Sequence, residues 1–180
     1  MGRIYVGDRR GNQADGIGKF IDKDFIYDGQ WKDDHREGMG VETYPDGSKF
    51  QGNFSAGVKN GYGVFDWADG SFYAGDFENG EIHGKGVYQW SDKRRYEGSW
   101  VHNLMDGIGV FKWQDGRHYM GEFENDKRHG KGEFRWPDGR VFKGVWKDGV
   151  MDGEGVFLEK NGHEGKKVVK GNWLDGKKLE

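Results

Sequence analysis

Aromatic residues and glycines alternate with polar residues over short segments, with the period of two that is typical of β-strands. Alternate residues of Tyr96–Trp100 place an aromatic residue, a glycine and a second aromatic residue on one face. In Gly107–Trp113 the glycines and two rings share a face, while Val110 points to the other. The polar or small residues 101–106 predict a hairpin loop, and Asp115-Gly116 predicts a turn into the next hairpin.

This two-stranded unit recurs with a spacing of 22 or 23 residues, which is typical of a repeat architecture. A half unit follows from residue 169, and the additional residues before it form an insert near 161–168. The first unit departs from the pattern, since Arg9 stands where later units have Trp or Phe. We therefore predict a single array over residues 1–180. Its units begin at Tyr5, Tyr27, Phe50, Tyr73, Tyr96, Tyr119 and Phe142.

Most aromatic residues occupy positions 0, +4, +15 and +17 of the unit, counted from its first residue, and most glycines occupy +2, +11, +13 and +20. A strand glycine leaves room for a ring from a neighbouring strand, and that ring recovers stability that glycine loses. The sequence thus predicts an all-β fold, an elongated, twisted, single-layer antiparallel sheet of tandem hairpins. Such a layer either curls over its aromatic face or leaves a partly open apolar groove.

Composition narrows the class of protein. The chain has 180 residues, no cysteine and a net charge of −3, which predicts no disulfide framework and no general attraction to nucleic acid. The first residues lack the apolar segment of a signal peptide, and no apolar run approaches the ~20 residues of a membrane-spanning helix. We expect a soluble intracellular protein that does not bind nucleic acid.

The recurring pattern of Tyr-x-Gly-x-Trp/Phe, a polar loop, Gly-x-Gly and Asp-Gly resembles the MORN (membrane occupation and recognition nexus) repeat. The segment from Tyr119 to Gly132 is close to that pattern, and the resemblance weakens only in residues 1–23 and 159–168. The resemblance implies a curved sheet of hairpins, often capped or dimerised at its ends. It also implies a scaffold of cilia, flagella, basal bodies, the cell-division apparatus or membrane–cytoskeleton junctions. Some arrays of this family precede an enzyme.

Residues suited to metal binding recur, but their spacing favours structural roles. His83 and His129 occupy the same position in units two apart, about 19 Å in the predicted sheet, which is too far for one zinc ion. The turn aspartates form a ladder with steps of about 10 Å, which is too long for one calcium site. A carboxylate there instead accepts bonds from the backbone of its own turn. We predict no metal and no cofactor. The ladder consists of Asp46, Asp69, Asp92, Asp115 and Asp138.

The sequence contains no recognisable catalytic motif. Cysteine is absent, and no serine lies in a Gly-x-Ser-x-Gly context. The Gly-x-Gly pairs continue as strands, whereas a phosphate-binding loop opens a helix. We predict that the chain is not an enzyme.

An aromatic sheet face with no second layer predicts a non-enzymatic protein-interaction scaffold. Its groove suits an extended peptide or an amphipathic helix of a protein partner. The family resemblance places such a scaffold in the cytoplasm, in a cytoskeletal, ciliary or flagellar assembly such as the axoneme. The candidate contact residues, which alternatively fill the interior of a curled sheet, are Trp67, Trp90, Trp113, Trp136, Tyr73, Tyr96 and Tyr119.

Basic residues and sheet edges support two further hypotheses. The main basic cluster is the candidate site for a phosphoinositide headgroup, although charge-based lipid recognition usually takes four to eight basic residues together. In that alternative the chain is an adaptor that links a membrane to the cytoskeleton. Exposed edge strands also tend to pair, so the terminal repeats predict a homodimer. The cluster consists of Lys166, Lys167, Lys170, Lys177 and Lys178.

Overall fold

The computed structural model describes residues 2–160 and 166–180, with the backbone alone at residues 160 and 166. The described residues form two compact units. The first, Met1–Ser91, contains β1 Ile4–Arg10, β2 Gln13–Ile21, β3 Ile26–Lys32, β4 His35–Thr43, β5 Lys49–Ser55, β6 Val58–Asp66, β7 Phe72–Glu78 and β8 Glu81–Gln89. The second, Asp92–Glu180, contains β9 Arg95–Val101, β10 Leu104–Lys112, β11 His118–Glu124, β12 Lys127–Arg135, β13 Val141–Lys147, β14 Val150–Lys160, β15 Lys166–Leu174 and β16 Lys177–Lys178.

Within each unit, strands that follow one another in the chain are neighbours in the sheet, and each pair is antiparallel. In the first unit Gly75 of β7 lies opposite Gly86 of β8. In the second unit Gly121 of β11 lies opposite Gly132 of β12. The predicted fold class is therefore confirmed, because the chain is all-β and consists of tandem hairpins in an open antiparallel sheet. The single array over residues 1–180 stays a prediction.

The core consists of rings that lie across glycines of the same hairpin. Tyr119 of β11 is fully buried, and its hydroxyl donates to the carbonyl of Glu122 at 3.0 Å. A Cβ atom on Gly132 would lie 2.2 Å from that hydroxyl oxygen and 2.4 Å from the ring. The strand glycines are thus required by close ring contact. The same arrangement buries Tyr27, Phe50, Tyr73, Tyr96 and Phe142 completely.

The hairpin loops are shorter than the six residues predicted. In the hairpin β9–β10 the loop is His102-Asn103 alone, with φ of 46° and 67°. Residues 104–106 belong to β10, where Leu104 pairs with Val101. Two consecutive positive φ values are typical of the tight turn whose twist suits a hairpin, and Asn adopts them at low cost. The polar composition of 101–106 was therefore misleading.

A bulge in the second strand of the hairpins is closed by a polar side chain from the first. In the hairpin β7–β8 the register shifts between Gly75 and Phe77, and Gly84 has a φ of 69°. The Asp76 carboxylate accepts the backbone N–H of Lys85 at 2.9 Å. Bulges leave a backbone group unpaired, so this bond stabilises the irregular segment. Equivalent bonds come from Asp8, Gln30 and Glu122.

The predicted insert near 161–168 lies partly outside the described residues. Residues 161–165 are not described, while 166–168 belong to β15. The ladder between β14 and β15 runs from the pair of Gly153 and Trp173 to the pair of Lys160 and Lys166. The half unit therefore continues the sheet as a strand.

Candidate functional site

The aromatic face carries two classes of ring, which differ in exposure. Rings at positions 0 and +4 form the core, so the predicted contact residues Tyr73, Tyr96 and Tyr119 are 0% exposed. A partner cannot reach these side chains while the sheet is folded. Rings at +15 and +17 are mostly half-buried, and all four predicted tryptophans, Trp67, Trp90, Trp113 and Trp136, are among them. The accessible part of the predicted site is therefore its tryptophans.

In the second unit these outer rings form a continuous row, which we call the second ring row: Phe111, Trp113, Phe134, Trp136 and Phe157. Within each repeat the centroids lie close, at 4.4 Å for Phe111 and Trp113 and 4.5 Å for Phe134 and Trp136. Between repeats the steps are 5.5 Å, from Trp113 to Phe134 and from Trp136 to Phe157. Aromatic pairs at these separations attract one another, so each ring orients the next.

The first unit has its own row, which we call the first ring row: Tyr44, Phe65, Trp67, Tyr88 and Trp90. Tyr44 stacks on Phe65 with centroids 5.7 Å apart, and Phe65 stacks on Trp67 at 4.5 Å. Trp67 lies 5.1 Å from Tyr88, which lies 4.6 Å from Trp90. All five rings of the first row are half-buried, whereas in the second row Phe111 and Phe134 are buried and Trp113, Trp136 and Phe157 are half-buried.

The turn aspartates hold the edge of the second row. The Asp115 carboxylate accepts the backbone N–H of Arg117 at 3.1 Å and its Nε–H at 2.7 Å. The Arg117 guanidinium then lies over the Trp113 ring, 5.3 Å from its centroid. Asp138 and Arg140 repeat the arrangement over Trp136, at 5.4 Å. The predicted turn role of these carboxylates is confirmed, and each turn also fixes a cation on an indole.

In the turns of the first compact unit, a serine stands at the position where the turns of the second compact unit have an arginine. Asp69 accepts the backbone N–H of Ser71 at 2.8 Å and its hydroxyl at 2.6 Å. These hydrogen bonds lower the pKa of Asp69 below its ordinary value. Ser48 occupies the same position one repeat earlier and is buried. Turns of the two units therefore share a backbone but offer different groups to a ligand.

A charged cluster interrupts the first row, and the sequence reasoning missed it. Glu42 stands at position +15, where the other full units have a ring, and is 2% exposed. It accepts hydrogen bonds from Arg36, from the Tyr44 hydroxyl and, at 2.6 Å, from Lys59. Lys59 also donates to Tyr44 at 2.7 Å. The sequence does contain a signal for this cluster. Glu42 stands at position +15, and Arg36 and Lys59 stand at position +9 of two adjacent repeats.

The cations of this cluster also lie against rings. The Arg36 guanidinium is 5.2 Å from the Phe54 centroid, and the Lys59 ammonium is 5.2 Å from that of Phe50. In the second unit Arg128 lies 4.5 Å from the Trp146 ring. Cations over ring faces are attracted by the ring quadrupole. The aromatic face is therefore locally cationic, although the whole chain carries −3.

Comparison with known proteins agrees with this repeat. The family model of the MORN repeat matches residues 27–49, 50–72, 73–93, 96–116, 119–139 and 142–164. The chain belongs to the MORN repeat family. None of the curated protein sequences matches this MORN chain.

A solved structure with a similar fold is the SAS-4 (dCPAP) TCP domain of Drosophila melanogaster, in complex with a proline-rich motif of Ana2 (dSTIL). The two chains are 11% identical with a TM-score of 0.52, and the match covers 93% of the MORN chain and 88% of the other. At this identity the likeness concerns the fold alone.

The remaining candidates do not gather into a metal site. His83 lies 3.3 Å from a Glu78 oxygen and His129 lies 3.2 Å from a Glu124 oxygen. Within residues 2–160 and 166–180, no three His, Cys, Asp or Glu side chains are placed to hold a metal ion. In the same part of the MORN chain, no helix has the length and apolar character to cross a membrane.

The basic cluster predicted near the C-terminal edge is divided by the sheet. Lys167 and Lys178 lie on the aromatic face, whereas Lys170 and Lys177 lie on the opposite face, because alternate residues of a strand point to opposite sides. For Lys166 only the backbone is described. The four described side chains therefore do not form one patch, and lipid binding by the MORN chain stays a prediction.

Proposed function

We propose that this MORN-repeat chain is a non-enzymatic protein-interaction scaffold whose ring rows bind an extended segment of a protein partner. The observation that carries the proposal is the second ring row, where the half-buried indoles of Trp113 and Trp136 flank the buried ring of Phe134. Full burial of an exposed large apolar side chain contributes ~1.5–3 kcal/mol before ordering costs, and burial of the exposed part of each half-buried indole contributes a fraction of this. Micromolar affinity, which corresponds to about 8 kcal/mol, thus requires several such anchors together.

The similar solved structure supports a peptide as the occupant. In that structure a TCP domain is in complex with a proline-rich motif of another protein. A single-layer sheet of this kind is thus compatible with the capture of a linear segment. Peptide binding by the MORN chain remains our proposal, since the likeness concerns the fold.

The setting that we propose is a cytoskeletal assembly, including that of a cilium or flagellum. The support is the resemblance of the repeats to scaffolds of such assemblies. The alternative, an adaptor for phosphoinositide membranes, has weaker support because the lysines are divided between two faces. Sedimentation with phosphoinositide vesicles at low and physiological salt distinguishes the two, since a charge-driven interaction weakens as salt rises. Light scattering tests the predicted homodimer.

Photo-crosslinking tests the ring rows directly. A photo-reactive aromatic amino acid replaces Trp113 in one protein and, as a control, Tyr62 in another, since Tyr62 is 57% exposed on the opposite face. Proximity labelling in native cells supplies the candidate partners. We expect one partner segment to crosslink from position 113 and not from position 62.

Affinity measurements with that partner complete the test. Trp113→Ala should weaken binding at least about tenfold, because one buried ring is lost. Tyr62→Ala, which removes a ring of similar size from the other face, should leave affinity unchanged. Full affinity of a folded Trp113→Ala protein would exclude the second ring row as the contact surface.

A further inference from the structure

The second ring row has a repeat distance that selects the conformation of its occupant. Successive repeats of an antiparallel sheet are two strand spacings apart, about 9.4–9.8 Å. The ring centroids are compatible with this interval, because the steps of 5.5 and 4.5 Å through Phe134 set an upper limit of about 10 Å on the separation of Trp113 and Trp136. A segment that runs along the row must present equivalent side chains at this interval.

Of the regular backbone conformations, polyproline II fits this interval best. Three residues of that helix rise about 9.3 Å and complete one turn, so every third side chain faces the row again. Seven residues of an α-helix rise about 10.5 Å, which accumulates an error of about 1 Å per repeat. Three residues of a β-strand span about 10 Å, but every third side chain then points to the opposite face.

The indole N–H groups of the row are available to such a segment. Two tryptophans at position +4 use theirs within the sheet, since Trp31 donates to the Gly18 carbonyl at 2.9 Å and Trp146 to the Gly132 carbonyl at 3.3 Å. Trp113 and Trp136 donate to no acceptor in the described part of the chain. A polyproline II backbone has no internal hydrogen bonds, so its carbonyls remain free to accept.

The turn arginines add a preference for negative charge. The two oxygens of the Asp115 carboxylate accept bonds from the N–H and Nε–H of Arg117 in its own turn. The terminal guanidinium nitrogens of Arg117 and Arg140 have no acceptor in the parts of the chain described, and these side chains are 42% and 46% exposed. A recess between successive turns is lined by Arg94, Trp113 and Arg117, together with Asp92, Gln114 and Asp115. Arg117 and Arg140 thus retain donors for an anionic group, beside carboxylates that already accept bonds within their own turns and are 52% and 53% exposed.

We propose that the second ring row binds an acidic, proline-rich segment in the polyproline II conformation. Every third residue of the segment faces an equivalent position of the row. Prolines contact the indoles of Trp113 and Trp136, whose N–H groups donate to carbonyls of the segment. A carboxylate at every third residue pairs with Arg117 and Arg140 in turn. This inference rests on the proposed function, because it names the occupant of the same row.

Three synthetic peptides of matched length test the three-residue step by fluorescence anisotropy on the full chain. One repeats Pro-Pro-Glu, the second Pro-Pro-Pro-Glu and the third Pro-Pro-Gln. We expect the first to bind best. The second should bind about tenfold more weakly, since its carboxylates are about 12 Å apart. The third should also bind about tenfold more weakly, since it loses charge-assisted hydrogen bonds.

Two variants show which side chains cause these differences in peptide affinity. The double variant Arg117→Ser, Arg140→Ser should abolish the difference between the Glu and Gln peptides. Its fold is protected because the chain already uses serine after Asp-Gly at Ser71. Trp113→Phe keeps a ring but removes the N–H donor, and should weaken all three peptides several-fold.

The outcomes separate this inference from the proposed function. Equal affinity for the three-residue and four-residue peptides would overturn the inference. So would failure of all three peptides while the crosslinked partner still depends on Trp113, and in that case the proposed function stands. If Trp113→Ala leaves the affinity for the crosslinked partner unchanged, the proposed function itself is wrong.

Discussion

Two aromatic residues of one repeat, Tyr119 and Trp136, have opposite roles because of their positions in the unit. Tyr119 lies across Gly132, and its burial raises the pKa of its hydroxyl above the ordinary value. Trp136 contacts Phe134 and Phe157 on the outer part of the same face and stays half-exposed. Two residues that break the pattern of the repeat, Glu42 and Lys93, lead to predictions at this scale.

Removal of the Glu42 charge should destabilise the fold. Glu42→Gln leaves Arg36 and Lys59 without their counter-charge in a site where the glutamate is 2% exposed. Breaking a buried pair costs about 3–5 kcal/mol, and the partial exposure of both cations reduces this to about 2–4 kcal/mol. Urea unfolding at pH 7 measures the loss. Glu97→Gln, which alters an exposed carboxylate beside Arg95, is the control and should have little effect.

The same glutamate predicts a pH dependence. Burial alone would raise the pKa of Glu42, but hydrogen bonds from Lys59 and Tyr44 and the nearby cations outweigh it, so its pKa lies below the ordinary value. A lowered folded-state pKa gives stability that is present above the unfolded pKa of about 4.3 and is lost as pH falls through the folded-state value. The difference between the native protein and Glu42→Gln should therefore narrow as the pH falls below about 4.3 and through the lower folded-state pKa of Glu42. An unchanged difference would contradict the assignment.

The folded chain should be less stable with Lys93 than with a glycine at the same position. It occupies the turn position that is glycine in the neighbouring repeats and has a φ of 70°. A side chain in this region costs about 1–2 kcal/mol, and glycine loses about 0.5–1 kcal/mol of unfolded-state entropy. Lys93→Gly should thus increase the free energy of unfolding by about 0.5–1 kcal/mol. Gly116→Lys, at a φ of 89°, should lower it by a similar amount.

At the scale of the element, each hairpin is held by contact between a ring and two glycines and closed by a two-residue turn. The ring at position 0 fills the space above glycines of both strands, so the hairpin carries part of the core within itself. Its turn sets the register by positive φ values. A strand glycine is therefore required because a larger side chain would not fit beside the ring. A turn glycine is required because of its positive φ.

A pair of alanine substitutions separates these two requirements. Gly132→Ala places a Cβ 2.4 Å from ring carbons of Tyr119, which is fully buried and cannot move aside. We expect a loss of about 3 kcal/mol or more, at the upper end for overpacking. Gly149→Ala meets no atom within 4 Å and pays only for its φ of 89°, about 1 kcal/mol. Equal losses in thermal unfolding would show that ring contact is not the decisive factor.

At the scale of the whole molecule, the chain is a series of repeats, and within each compact unit every strand contacts its neighbours in sequence. Stability in such repeat proteins is approximately the sum of unit and interface terms. The rings remain on one face only while the spacing of units preserves the alternation of side chains. Deletion of a complete repeat, which preserves this alternation, should thus have a different effect from a deletion that is one residue shorter.

Deletion of residues 119–141 removes one unit and joins His118 to Phe142, which is equivalent to Tyr119. We expect a strand-rich far-UV circular dichroism spectrum and a cooperative melt at a lower midpoint. Deletion of 119–140 shifts the following strand by one residue and turns its rings to the opposite face. That protein should lose cooperative unfolding. Similar melts of the two would contradict the importance of register.

Much of the fold was predictable, because the repeat supplies the same local signal many times. Alternation of rings and glycines correctly predicted strands, their antiparallel pairing and the aromatic face. The hairpin loops were predicted too long, because polar residues such as those near Met105 continue as strand once a tight turn forms. For the candidate site, the sequence placed tyrosines and tryptophans together, and the structure separated them by exposure.

The sequence by itself determined the period, the identity of the family, and which residues share a face, since these depend on local alternation and spacing. The tertiary structure decided which rings a partner can reach, because exposure depends on contacts across strands. It also brought together Arg36, Glu42 and Lys59, which come from strands β4 and β6 and meet only when the sheet forms. In the second unit, contact between repeats placed Trp113 and Trp136 side by side, at an interval set by the spacing of strands.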